Sequence, residues 1–137
     1  MAGSGNSVSA PPSPRFVLHE HFAKHHHFDF RLEHDGVLMS WAVPKGLPET
    51  AGERRLAIAV ADHPLRYIGF AGIIPEGEYG AGEVRIADTG TFDLLTWEPG
   101  RIEIILHGTR YRGKYLLVRF RKAGDREWLI FRAKDGA

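Results

Sequence analysis

Apolar residues recur at every second position through most of this chain between Arg15 and Arg132, and no window sustains a helical repeat for more than a turn or two. Alternation of that kind places successive side chains on opposite faces of an extended backbone, so the chain is built from strands with little helix. Nine segments carry the pattern: 16–22, 28–33, 37–43, 56–60, 83–87, 91–95, 102–106, 114–120 and 128–132. Asp35-Gly36 lies between two of them, and this pair suits a type I′ turn, whose two central residues both need positive φ. Segments 28–33 and 37–43 are therefore a hairpin. Sixteen glycines and eight prolines among 137 residues supply the remaining tight turns. The expected architecture is all-β: a single-domain antiparallel β-barrel of about eight short strands, closed so that no edge is exposed, with a sandwich as the alternative. Residues 15–137 form that domain. Residues 1–14, with four serines, three prolines and no charge, cannot bury enough surface to offset ordering and are expected to be a flexible tail.

Several function classes drop out early. Cysteine is absent, which removes thiolate nucleophiles and Cys-zinc sites and leaves His, Asp and Glu as the strong metal ligands. No apolar run approaches the roughly 20 residues of a membrane helix, and the first residues lack a charged and apolar leader, so a cytoplasmic protein is expected. A formal charge of +1 neither announces nor excludes nucleic acid. G-x-S-x-G, Walker A and helical H-E-x-x-H motifs are missing, and with them the serine hydrolase, P-loop and zincin readings.

Five of the eight histidines fall within 19–27, in HEHFAKHHHFDFRLEHDG. Alternation sorts them. In an extended segment 28–33 the side chains of Phe28, Phe30 and Leu32 share a core face, leaving His27, Asp29, Arg31 and Glu33 on the other. In the preceding segment Phe16, Leu18 and Phe22 are in phase, with His19 and His21 opposite. His21, His27 and Asp29 can then converge as a three-point site with open positions, suited to a borderline or hard divalent metal. The plainer alternative is a solvent-exposed polar face of a half-buried sheet. Arg31, in phase with the triad, suits an anionic phosphate or carboxylate, or else a cross-strand acid. His25 and His26 fall in the loop.

In RRLAIAVADHP, Leu56, Ile58 and Val60 read as core, so Arg55, three alanines and His63 share the opposite face. Small residues between two cations leave room for a phosphate; the alternative is a strand packed down on its alanines. Trp41 and Lys45 mark a strand end where a cation meets a phosphate backbone. IIPEGEYGAGEV is a long shaped turn, structural by default, whose Tyr79 has the option of stacking on a base. His107, Arg110, Arg112 and Lys114 read as a solvated basic face.

Taken together, HEHFAKHHHFDFRLEHDGVLMSWAVPKG, RLAIAVADHPLRY, IIPEGEYGAGEV and LHGTRYRGKYLLVRF…EWLIFRA resemble the 3′-phosphoesterase domain family of bacterial DNA ligase D, from about Arg15 to Arg132. The resemblance implies a Mn²⁺-dependent enzyme, other divalent metals being possible cofactors, that removes a 3′-terminal phosphate or ribonucleoside from nucleic-acid 3′ ends. It implies His21, His27 and Asp29 as metal ligands, Arg31 and His63 on the scissile phosphate, and Arg55 and Tyr67 supporting the phosphate and sugar. Its partners would be primer-template DNA ends and separately encoded ligase, polymerase and end-binding proteins of non-homologous end joining. Ala61 stands where the family usually has an acid before D-H-P, and the uncharged tail replaces a charged segment tied to the ribonuclease step. Two other readings remain: a non-haem Fe(II) oxygenase, which shares the two-His, one-carboxylate set, and a non-catalytic barrel binding single strands through Trp41, Tyr67 and Tyr79.

Overall fold

The computed structural model describes residues 12–120 and 125–134. Among these residues nine strands follow in chain order: β1 (Arg15–Phe22), β2 (His27–His34), β3 (Val37–Val43), β4 (Arg54–Pro64), β5 (Gly72–Ile74), β6 (Gly82–Glu98), β7 (Arg101–Gly108), β8 (Arg112–Arg119) and β9 (Glu127–Arg132). A five-residue 3₁₀ turn, Leu65–Gly69, is the sole helical element among the described residues, and no helix there is long and apolar enough to cross a membrane. All pairings between strands are antiparallel in the order β1-β2-β3-β4-β9-β8-β7-β6, and β6 pairs back onto β1 to close an eight-strand barrel. Short β5 adds to the start of β6 outside that ring. The expected tail lies outside the described residues through position 11; Pro14 is tied in, its carbonyl accepting the Phe92 N–H at 2.9 Å.

The interior is filled by the inward faces of the strands, with Phe16, Leu18, Phe30, Trp41, Phe92 and Tyr115 fully buried and Trp41 edge-on to Trp128 at 5.7 Å. Phe30→Ala is expected to cost about 3–5 kcal/mol in chemical denaturation, as for other large buried aromatics. A loss of a few tenths would mean that the inner face of β2 is misassigned.

Segments 83–87 and 91–95 prove to be one 17-residue strand, β6. The intervening Asp88-Thr89-Gly90 looks like a turn, but Gly90 is there because β7 passes too close for a side chain: a Cβ would collide with the carbonyl of His107. Two register shifts, opposite Leu18/His19 and after Leu94, bend the strand, so its first half pairs with β1 and its second with β7. The first shift belongs to a bulge near Asp88, which is buried and whose carboxylate accepts the N–H groups of Thr109, Arg110 and Tyr111 at 2.9–3.1 Å, capping the β7–β8 turn.

Strand β4 is longer than the expected 56–60, and its inner face is the reverse of the one expected. Ala57 is fully buried and Ala59 packs on the core, whereas Leu56 is 41% exposed. Trp41 is the reason: it pairs directly with Ala59, and an indole filling the barrel there leaves room only for small residues on the facing strand. Phe22, expected in phase with Phe16 and Leu18, sits at the end of β1, where its ring is flanked by Arg85 and His26 and is partly exposed.

Candidate active site

The β2–β3 hairpin turns at Asp35 (φ 50°) and Gly36 (φ 82°), both left-handed as a type I′ turn demands. A two-residue turn at that point fixes Arg31 directly opposite Ser40 and Phe30 opposite Trp41. On the other side of β2, His27 faces His21, Asp29 faces His19 and Arg31 faces Val17. Phe30 and Trp41 point into the barrel, so His19, His21, His27, Asp29, Arg31 and Ser40 all lie on its outer wall. That wall is not open to solvent. The 3₁₀ turn and the 75–81 segment cross it, and His19, His21, Asp29, Arg31 and Ser40 are all buried, which removes the exposed-polar-face alternative.

His21 Nδ1 lies 3.6 Å and His27 Nε2 3.3 Å from the two carboxylate oxygens of Asp29. One ligand atom from each of the three residues falls within 4.8 Å of the others. Each imidazole is pinned through its far nitrogen: His21 Nε2–H donates to the Gly80 carbonyl at 2.8 Å and His27 Nδ1–H to that of His25 at 2.9 Å. Metal-binding histidines are held in this way, because the outer hydrogen bond fixes both the ring orientation and the tautomer. These residues therefore fit a divalent ion. The Asp29 hydrogen bond raises the basicity of His27 against the opposing effect of burial. Burial works against ionisation of Asp29, yet His27 and the charge of Arg31 outweigh it and hold the carboxyl below its ordinary value.

Arg31 is the hub of the wall. Its Nε–H donates to His19 Nδ1 at 3.1 Å and Nη1 to Ser40 Oγ at 2.9 Å; Nη1 also meets His63 Nδ1 at 3.2 Å, and Nη2 lies 3.4 Å from Asp29. Tyr67 on the 3₁₀ turn covers the guanidinium at 5.0 Å and packs against both His19 and His63. Burial first, then Arg31, pushes His19 down to about 4, so it stays neutral, with Nε2–H donating to the Phe70 carbonyl at 3.0 Å and Nδ1 free to accept. The same two causes lower His63.

His63 reaches this wall by a route that alternation does not foresee. Between Leu38↔His63 and Ser40↔Val60, strand β4 spends one more residue than β3. That bulge moves His63 off the alanine face and onto the outer one. Arg55 stays behind. It lies eight residues, about 26 Å of extended chain, from His63, where it pairs with Glu53 and donates to the carbonyls of Lys45 and Gly46. Arg55 and Lys45 are thus not brought to the cluster that holds Arg31. No sequence pattern points to Gly80, and the hairpin register alone points to Ser40. His107, Arg110 and Lys114 pair with Asp93, Glu49 and Glu103, as a solvated basic face should, while Arg112 donates to the Gly108 carbonyl. Trp41 is only 1% exposed, which withdraws it from any single-strand surface.

Residues 19–119 match the family model described as the DNA ligase D 3′-phosphoesterase domain. The chain is 48% identical over 139 aligned residues, 98% of its own length, to the multifunctional non-homologous end joining DNA repair protein LigD of Mycobacterium tuberculosis H37Rv. It is also similar to the multifunctional non-homologous end joining proteins LigD of Mycolicibacterium smegmatis (43% identity, 88% of this chain) and Pseudomonas aeruginosa (42%, 89% of this chain). The chain spans only 15–17% of the length of these relatives.

Proposed function

This chain belongs to the DNA ligase D 3′-phosphoesterase domain family, and from that premise we propose that it is a Mn²⁺-dependent hydrolase of nucleic-acid 3′ ends. It removes a 3′-terminal phosphate, and a 3′-terminal ribonucleoside, to leave a 3′-hydroxyl for end joining in the cytoplasm. The observation that carries this reading is a buried arginine in contact with a His₂Asp cation site. Arg31 touches Asp29, Ser40 and His63 together, and a guanidinium so placed suits a phosphoryl group bridging to a metal. An Fe(II) oxygenase would share the two imidazoles and the carboxylate, but would leave Arg31 and His63 without a task.

A Mn²⁺ ion held by His21, His27 and Asp29 would supply Lewis-acid polarisation of a phosphoryl oxygen and of water. The residues of the chain do the rest. Arg31 binds the non-bridging oxygens and takes up the charge that builds on them in the transition state. His19 and Ser40 fix its plane, so little reorganisation is needed when substrate arrives. His63, whose Nδ1 meets both Arg31 Nη1 and the Ala61 carbonyl, is held beside the phosphate by that pair of contacts, and burial and Arg31 lower its pKa, which suits it to hydrogen-bond the phosphate rather than to protonate the leaving oxygen. Tyr67 lies over the guanidinium and keeps water from it.

The test is to incubate the protein with Mn²⁺ and labelled primer-templates ending in a 3′-phosphate or in a single ribonucleotide, and to resolve the products. Conversion to a 3′-hydroxyl end that stops when the metal is chelated is the expected result. Binding without conversion under Mn²⁺, Mg²⁺ and Zn²⁺ would leave only the single-strand-binding reading.

A further inference from the structure

Beside the buried cluster runs a groove of about 420 Å³ lined by Ala59, Val60, Ala61, Tyr79 and Arg126. Two of its walls are tied directly to the candidate site. The Ala61 carbonyl is bonded to His63 Nδ1 at 3.0 Å, and Tyr79 precedes Gly80, whose carbonyl holds His21. Val60 is the strand partner of Ser40. The groove therefore abuts the place where the Proposed function puts the 3′ terminus. Its Tyr79 is 91% exposed, so the ring is open to a stacking partner. Arg126 is exposed, and no acidic side chain among the described residues pairs with it, although its backbone is fastened by its carbonyl to the Ala59 N–H at 2.7 Å. Glu76 and Glu78 share the turn with Tyr79 but do not line the groove.

An exposed aromatic ring and a cation lining one groove with small walls make the combination that holds a nucleic-acid strand without reading its sequence: the ring stacks on a base and the cation meets a phosphodiester. We propose that this groove binds the DNA strand just upstream of its 3′ end, with Tyr79 stacking on a base and Arg126 on the intervening phosphate. It makes the enzyme one that prefers polynucleotide ends to free nucleotides. The inference rests on the 3′-end reading above for its direction but not for its existence, since strand binding needs no turnover.

Two measurements separate the two claims. The first compares kcat/KM on a single-stranded oligodeoxynucleotide 3′-phosphate with that on a deoxynucleoside 3′-phosphate. For Tyr79→Ala the ratio of the two should fall about tenfold, through KM of the oligonucleotide, the loss expected for one stacked base. Tyr79→Phe should keep the wild-type ratio, because the ring and not the hydroxyl does the stacking. The second measures binding of an oligodeoxynucleotide with a 3′-hydroxyl, where no scissile bond exists, by fluorescence anisotropy across a salt series. Arg126→Ala should reduce the salt slope by about 0.7, one phosphate contact on a single strand. Equal losses on both substrates with Tyr79→Ala would overturn the inference, since Tyr79 would then act only by placing Gly80 against His21. So would an oligonucleotide affinity indifferent to both variants. A wild-type protein that binds the oligonucleotide through Tyr79 and Arg126 but hydrolyses neither phosphate would sink the Proposed function and leave the groove standing.

Discussion

Asp29→Asn should lose more than about 100-fold in 3′-phosphatase rate while the barrel stays folded. Outer hydrogen-bond partners of metal ligands already cost 10- to 100-fold when removed, and Asp29 is placed as a ligand rather than a partner. The asparagine has the same shape, so the packing of the buried wall persists and the effect is one of charge. Asp29 is held ionised by His27 and Arg31, and it is the one anion set between the imidazoles of His21 and His27. Neutralising it leaves Arg31 buried without its carboxylate and removes the negative charge that a divalent ion needs. His21→Ala and His27→Ala should behave alike. Circular dichroism melts of the three variants, run beside a 3′-phosphate release assay, check both halves; any one of them with wild-type turnover would remove that residue from the metal shell.

Arg31→Ala should lower the rate by at least about 100-fold, the scale on which a single preorganised charge-stabilising group is missed. Arg31→Lys should recover little. An ammonium is a point charge, and it cannot give Nε–H to His19 and one nitrogen to Ser40 and His63 while keeping another beside Asp29. The two substitutions should differ from Asp29→Asn in what they spare. Losing Arg31 takes an ion-pair partner from Asp29 but also relieves the repulsion a cation would feel, and these act on Mn²⁺ affinity in opposite directions. Metal affinity should therefore shift far less than turnover. A proportional loss of both would move Arg31 from the phosphate to the support of the metal.

Much of the wall was legible because one turn fixed its register. With Asp35-Gly36 as a type I′ turn, Arg31 must oppose Ser40, and alternation must put His27, Asp29 and Arg31 on one face. The same rule failed at β4. Alternation measures polarity, and it took Leu56, Ile58 and Val60 for the core face, whereas volume decided: the Trp41 indole claims the barrel and leaves its partner strand only alanines. The bulge that returns His63 to the outer wall has no composition signal, since it depends on how β3 and β4 are offset beyond Ser40. Asp88-Thr89-Gly90 misled for a related reason. Glycine marks both a turn and a close approach of two backbones, and only the position of β7 tells them apart. Arg55 and His63 were linked by lying on one strand, and extended chain carries two such residues far from each other. Burial of the site was not legible at all, because the cover comes from Tyr67 and the 75–81 turn, distant in sequence and irregular in pattern.

The central claim is that His21, His27 and Asp29 form one metal site beside Arg31. It is tested most directly by calorimetric titration of Mn²⁺ into the wild-type protein and into Asp29→Asn, with no nucleic acid present. The account predicts one ion per wild-type chain and no measurable site in Asp29→Asn. Unchanged stoichiometric binding in Asp29→Asn would contradict it.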